Sequence, residues 1–248
     1  MNAITVVLVR PKFPENIGMV ARACANMGVH HLSLVDPERW NYDKAAPLAT
    51  GKGLDILDDI RIYSSLREAL TGHSHAFGAT ARTGGWRQDV MPPRKAATVM
   101  VQNLSDGGRM ALVFGPEDRG LGNAEIELCT GLVTIPTAPD ASSLNLAQAV
   151  LILLYECFTA TLAHTYHPDR TPKGRKTSRQ ATLEEQELLF STVQESLASI
   201  EFLPRDNPEW FMQPVRRFFR RAVLRRHEYD IFMGICRHIL RLAGKRLE

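Results

Sequence analysis

The chain has 248 residues, with 30 Lys and Arg against 27 Asp and Glu, for a formal net charge of +3. Hydrophobic residues make up 44% and charged residues 23%, which excludes a disordered or collagen-like chain. The length suits one large domain or two small ones.

The longest uninterrupted aliphatic stretch, Ala149–Leu154, is far shorter than the roughly 20 apolar residues that cross a bilayer. Met1-Asn2-Ala3-Ile4 lacks the basic start of a secretory signal. A cytoplasmic protein with no membrane association is expected. The mean charge hides a split: residues 1–164 carry 14 basic and 16 acidic side chains, and residues 165–248 carry 16 and 11. A basic final third on a near-neutral body points either to a polyanion-binding part or to a solvated charged face. Cys24, Cys129, Cys157 and Cys236 form no C-x-x-C pair, so small buried residues are expected, with no metal site.

Apolar runs alternate with segments of helical period along the first 165 residues. Ile4–Val9 reads as a strand ended by Pro11 and Pro14, and Ile17, Val20, Cys24 and Met27 form a helix stripe that Gly28 stops. Leu32–Val35 is a second strand, followed by a loop through Gly51-Lys52-Gly53. Ile60–Tyr63, Ala76–Ala79, Met110–Phe114 and Leu132–Ile135 are further strands, with helices at Ser65–Leu70, Lys95–Leu104 and Ala124–Cys129. Leu144 to about Ala163 is a long helix, apolar nearly all round its first turns and therefore expected to be buried. This alternation predicts an α/β fold with a parallel sheet and helices on both faces. Residues 166–180 read as a basic linker. Residues 181–248 read as a small helical extension that opens on the capping box Thr182-x-x-Glu185, with a further helix start at Asn207-Pro208-Glu209. Its first helix places Leu189, Val193, Leu197 and Ile200 on one face, and its last carries Ile231, Ile235, Ile239 and Leu242.

Three segments are richer in Gly, Asn and Ser than plain turns require. In Glu15-Asn16-Ile17-Gly18-Met19-Val20-Ala21-Arg22, Arg22 lies opposite the apolar stripe, which an exposed helix arginine also does. Phe114-Gly115-Pro116-Glu117-Asp118-Arg119-Gly120-Leu121-Gly122 follows a strand, where glycines let the backbone approach a ligand. It is neither a P-loop nor a dinucleotide fingerprint. In Ala141-Ser142-Ser143-Leu144-Asn145-Leu146-Ala147, Ser142 or Ser143 is a competent N-cap, and the Asn145 amide needs partners that a ligand could supply.

In this order, Asn16-Ile-Gly-x-x-x-Arg22, Phe114-Gly-x-Glu-x-x-Gly-Leu121 and Ser142-Ser-Leu-Asn-Leu-Ala147 closely resemble the SPOUT RNA methyltransferases of the TrmH-like 2′-O-ribose branch. The resemblance implies a C-terminal trefoil knot that forms the S-adenosylmethionine pocket, lined by Ala79, Thr80, Ala81, Gly115, Gly120, Leu121, Ile135, Ser142, Ser143, Leu144 and Asn145. It implies a homodimer, with Arg22 of one subunit near the cofactor of the other. Arg22, Asn16, Glu117 and Ser143 are the implied catalytic group. Because a guanidinium stays charged in proteins, Arg22 is expected to bind phosphate and stabilise developing alkoxide rather than to accept a proton.

The resemblance continues through Arg216-Arg217-x-Phe219 and implies methylation of tRNA at nucleotide 32, cytidine or uridine. Arg22, Arg175, Lys176, Arg216, Arg217, Arg220 and Arg221 are the expected RNA contacts, with Phe218 and Phe219 on the packing side of their helix. The alternatives are another tRNA or ribosomal RNA position, or an RNA-binding protein on an inactive scaffold.

Overall fold

In the computed structural model the chain divides into two compact units, Met1–Lys173 and Gly174–Glu248. Described residues are 1–82, 90–105, 107–140, 143–166, 178–204, 206–221 and 224–244.

The first unit is built on a seven-stranded sheet in the order β3-β2-β1-β6-β4-β7-β5, in which every pair is parallel. β1 (Ile4–Val9) has all six residues buried, as a strand covered on both faces must. β2 (His31–Val35), β4 (His75–Ala79) and β6 (Met110–Phe114) match the expected strands closely. β3 (Arg61–Tyr63) and β7 (Gly131–Val133) are shorter than expected, and β5 (Val90–Met91) was not anticipated.

α1 (Pro14–Asn26) buries Ile17, Val20 and Cys24 against the sheet and exposes Arg22. The stretch expected as a loop through Gly51-Lys52-Gly53 is instead two helices, α2 (Tyr42–Ala49) and α3 (Lys52–Asp58). Asn41 caps α2 by accepting a hydrogen bond from Lys44 N–H. α2 sits so close to α1 that a Cβ on Gly18 would lie 2.0 Å from the Ala45 carbonyl oxygen. α4 (Leu66–Ala69), α5 (Pro93–Ser105), α6 (Asn123–Glu127) and α7 (Leu146–Tyr166) complete the unit.

α7 departs from expectation in two ways. Its cap is Asn145, not a serine, since Asn145 Oδ1 accepts from Ala147 N–H at 2.9 Å. Only one face is buried, through Val150, Leu153, Leu154 and Cys157, whereas Leu151, Tyr155 and Leu162 are exposed. By length and composition Leu146–Ala163 does pass for a membrane span, although its uninterrupted aliphatic run is short. α7 nevertheless packs on α1 and α5 in the core of the unit.

All four cysteines are buried thiols, outside any disulfide among the described residues. Burial pushes the Cys24 and Cys157 thiols up to about 12, so both stay protonated at neutral pH.

The second unit holds α8 (Leu183–Ser199), α9 (Pro208–Arg221) and α10 (Arg226–Gly244) around Leu189, Phe190, Phe219 and Met233. The Thr182/Glu185 capping box is present, and Asn207 Oδ1 accepts from Trp210 N–H at the start of α9. On α8 Leu189 is buried while Ile200 is exposed. The inward face of α10 is Tyr229, Met233, Cys236 and Ala243; Ile231, Ile235 and Leu242 are exposed. Phe218 is exposed too, and only Phe219 packs inward.

Candidate active site

The strand order makes β1, β6, β4 and β7 consecutive neighbours, and all four point the same way. The loops that leave their carboxyl ends therefore lie side by side, where parallel sheets bind ligands. Those loops carry residues 10–13, 80–82, 115–122, 134–140 and 143–145, and the described parts of the three motif segments lie in them or in the helix starts that follow.

Side-chain amides and a carboxylate join the motifs. Asn145 Nδ2 donates to Asn16 Oδ1 at 3.0 Å, and Asn16 Nδ2 donates to Glu117 Oε1 at 2.8 Å. The second oxygen of Glu117 accepts from Lys12 N–H at 3.0 Å. Asn16 is only 6% exposed, so its amide needs both partners. Asn145 is satisfied by this bond and by the first turn of α7, so no ligand is required to pair its amide.

Ion pairs brace the same edge. Lys12 Nζ meets Asp118 Oδ2 at 2.7 Å, and Arg10 meets Glu125 Oε1 at 2.6 Å. Burial alone would raise the Glu125 carboxyl, but the bonds from Arg10 and from Gly122 N–H outweigh it and hold Glu125 below its ordinary value. Arg10 itself stands at φ +47°, directly after β1, with its N–H on the Val35 carbonyl at 2.8 Å. Such strain in a non-glycine residue persists only where the surroundings fix it.

The residues expected around the cofactor lie at the exits of β4, β6 and β7 and just before α7. Ala79 ends β4, and Thr80 N–H donates to the Val133 carbonyl at 2.9 Å, tying the β4 exit to β7. Gly115 lies beside the far end of the loop that it opens: a Cβ there would be 2.2 Å from the Gly120 carbonyl carbon and 2.3 Å from Leu121 N. Gly120 adopts φ +64°, the left-handed region that glycine enters at no cost. Leu121 is buried, Ile135 and Leu144 are half-buried, and Ala81 and Ser143 are exposed. Ser142 lies outside the described residues. Ala79, Gly115, Gly120, Leu121, Ile135 and Leu144, the residues expected to line the pocket, offer small side chains, apolar side chains and main-chain groups, a set that suits an adenosine moiety held largely by backbone. S-adenosylmethionine fits that donor set.

Arg22 is not part of this network. It is exposed, and its guanidinium has no ion-pair partner among the described residues. Ser143 likewise makes no side-chain hydrogen bond among them. Arg175 and Lys176 lie outside the described residues, as do the side chains of Arg220 and Arg221. Arg216 pairs with Glu187 at 3.1 Å and lies over the Phe190 ring at 5.2 Å, and Arg217 donates to Gln213 at 3.4 Å. Sequence reasoning missed Arg10 and Lys12. Their only signal was a basic pair flanking Pro11 at the end of β1.

Comparison with known proteins bears on both units. Residues 3–155 match the SpoU rRNA methylase family, and residues 184–248 match the C-terminal domain of the tRNA methyltransferase TrmJ. The tRNA (cytidine/uridine/adenosine-2′-O-)-methyltransferase TrmJ of Pseudomonas aeruginosa is 38% identical over 98% of this chain and 96% of its own length. The tRNA (cytidine/uridine-2′-O-)-methyltransferase TrmJ of Citrobacter koseri is 34% identical over 95% of each chain. The crystal structure of TrmJ from Z. mobilis ZM4 superposes with a TM-score of 0.75 at 29% identity, covering 95% of this chain and 98% of that one.

The fold is that of an RNA methylase. The chain belongs to the SpoU methylase family, in the TrmJ group that carries the additional C-terminal domain. Enzymes of this family are methyltransferases that use S-adenosylmethionine.

Proposed function

We propose that the protein methylates a ribose 2′-hydroxyl of tRNA, at nucleotide 32 of the anticodon loop, where the base is cytidine or uridine. The observation that carries this reading is the Asn145–Asn16–Glu117 chain of hydrogen bonds, which unites the three motif segments at one edge of the sheet. The full-length likeness to tRNA 2′-O-methyltransferases supports the substrate. A tRNA substrate also implies a cytoplasmic enzyme.

Bound S-adenosylmethionine supplies an electrophilic methyl group on a sulfonium. The neutral hydroxyl is the poor partner, so the protein must align it and stabilise charge on its oxygen. Arg22 provides that charge stabilisation, because its fixed positive charge holds the adjacent phosphate and the developing alkoxide. Asn16 and Glu117 hold the β1–α1 and β6–α6 loops in register, and Ser143 faces the ribose from the third loop. Gly115, Gly120, Leu121, Ile135 and Leu144 would hold the cofactor, in a pocket closed by the trefoil knot.

Arg22 acts across a homodimer. Its exposure and its absence from the Asn16–Glu117 hydrogen-bond network support this, and so does the exposed apolar strip Leu151, Tyr155 and Leu162 on α7. Arg217, Arg220, Arg221, Arg175 and Lys176 carry the electrostatic affinity for tRNA, with Arg216 contributing through a guanidinium already held by Glu187. Methylating unfractionated tRNA and mapping the modified nucleotide at single-residue resolution tests the assignment. A methyl group elsewhere than position 32 would leave the enzyme class intact and move the target.

A further inference from the structure

Lys12 serves the hydrogen-bond network with its backbone N–H and a second feature with its side chain. Beside it a cavity of about 350 Å³ opens between the β1–α1 loop and the β2–α2 loop. β1 and β2 are parallel neighbours, so both loops leave the sheet at the same edge as the motif segments. The volume falls within the usual range of small-ligand sites, about 300–1,000 Å³.

The lining has an unusual composition. Two aromatic rings, Phe13 and Trp40, share it with three cations, Lys12, Arg39 and Lys44, and with one carboxylate, Glu15. Phe13 is 50% exposed although it immediately precedes a helix that buries most of its other apolar residues. Trp40 is half-buried and packs on the core, which fixes its position. Lys12 is paired with Asp118, but Arg39 and Lys44 are exposed and have no ion-pair partner among the described residues. Aromatic rings beside unpaired cations recognise a ligand that is flat and apolar at one end and anionic at the other. A nucleotide within a polynucleotide chain has that form, because any base can stack and each linkage carries a phosphate.

We propose that this cavity holds a nucleotide of the substrate RNA flanking the one that is methylated. Its base lies against Phe13 and Trp40, and its phosphates lie against Arg39 and Lys44. The inference rests on the RNA-methylating reading and adds to it a subsite outside the three motifs. Lys12 links the two, with its N–H on Glu117 and its side chain in the cavity lining.

The test uses the full-length enzyme with Phe13→Ala, Phe13→Tyr and Lys44→Glu, all at exposed positions that the core does not need. With unfractionated tRNA, Phe13→Ala should raise KM roughly tenfold while kcat and calorimetric affinity for S-adenosylmethionine stay unchanged. Phe13→Tyr should restore the wild-type KM. Lys44→Glu should raise KM and reduce the salt dependence of binding. Inorganic polyphosphate is the control: Lys44→Glu should weaken its binding, and Phe13→Ala should not.

An unchanged KM in both Phe13→Ala and Lys44→Glu overturns the proposal. So does a Phe13→Ala variant that loses polyphosphate as strongly as tRNA. If the wild-type enzyme transfers no methyl group to tRNA, the functional reading fails by itself. The cavity is then judged by binding of a short single-stranded oligoribonucleotide, where a loss in Phe13→Ala supports the subsite and equal binding rejects it.

Discussion

Asn16 and Glu117, 101 positions apart in the chain, share a 2.8 Å hydrogen bond in which the amide donates and the carboxylate accepts. The other carboxylate oxygen is taken by Lys12 N–H. Glu117 thus holds the β1–α1 loop through Lys12 and the first turn of α1 through Asn16, which passes the constraint on to Asn145 at the head of α7. One carboxylate sets the relative position of three loops.

Glu117→Gln tests that arrangement without changing shape. A glutamine can accept from Asn16 with its oxygen, but it then turns an NH2 toward the Lys12 N–H and sets donor against donor. Turnover should fall by about tenfold or more, with Tm lowered by roughly 2–12 °C, since one strained bond costs on the order of 1–3 kcal/mol. Steady-state kinetics on tRNA beside a thermal melt decide it. Unchanged turnover would remove Glu117 from the site.

Arg22→Lys keeps the charge and removes the planar fork. Binding of tRNA should be largely retained, and kcat should fall by about a hundredfold, as when one donor to a developing oxyanion is lost. A filter-binding isotherm and a single-turnover rate separate the two effects. Near-wild-type turnover would mean that a point charge suffices.

Gly115→Ala places a methyl group where the backbone of Gly120 and Leu121 already lies, about 2.2 Å away. The 115–121 loop, proposed to line the cofactor pocket, must move, so S-adenosylmethionine should bind at least about tenfold more weakly by calorimetry. An unaltered affinity would show that this loop does not touch the cofactor.

Much of this was legible from sequence, for definite reasons. β1, β2, β4 and β6 are buried on both faces, so they appear as continuous apolar runs. α2 was not legible, because Pro47 interrupts it and Gly51 follows closely; the Asn41 cap and the close approach of Gly18 to Ala45 hold it in place. β5 is two residues long and exists only as a partner of β7. On α10 both faces carry apolar residues, and periodicity picked out Ile231, Ile235 and Leu242 instead of the face that packs. Asn16, Glu117 and Asn145 were each visible within a motif. Their bonds depend on strand order, and Lys12 takes part through a backbone N–H, which any residue but proline provides.

In the second unit, Glu185 accepts from Arg179, from Thr182 N–H and from Arg226. The Arg179 hydrogen bond leads in lowering its carboxyl to about 2, against the opposing effect of burial. A depressed carboxylate stabilises the fold above its ordinary pKa, and that contribution disappears as the pH falls through the folded value. The helical unit should therefore lose stability progressively from about pH 4.5 down to about pH 2. Glu185→Gln should remove that dependence at a cost of about 1 kcal/mol at pH 7, a modest figure because solvent screens the exposed arginines. Helicity followed against pH in both forms measures it. Parallel curves would contradict the assignment.

If the edge bearing Asn16, Glu117 and Gly115 delivers a methyl group to a ribose oxygen, removing that oxygen must abolish the transfer. The decisive experiment gives the enzyme methyl-labelled S-adenosylmethionine and two tRNAs that differ only by a 2′-deoxy sugar at nucleotide 32. Label should enter the ribose form and be absent from the deoxy form. Equal labelling of both would contradict transfer to that hydroxyl, and labelling of neither would contradict methylation of tRNA.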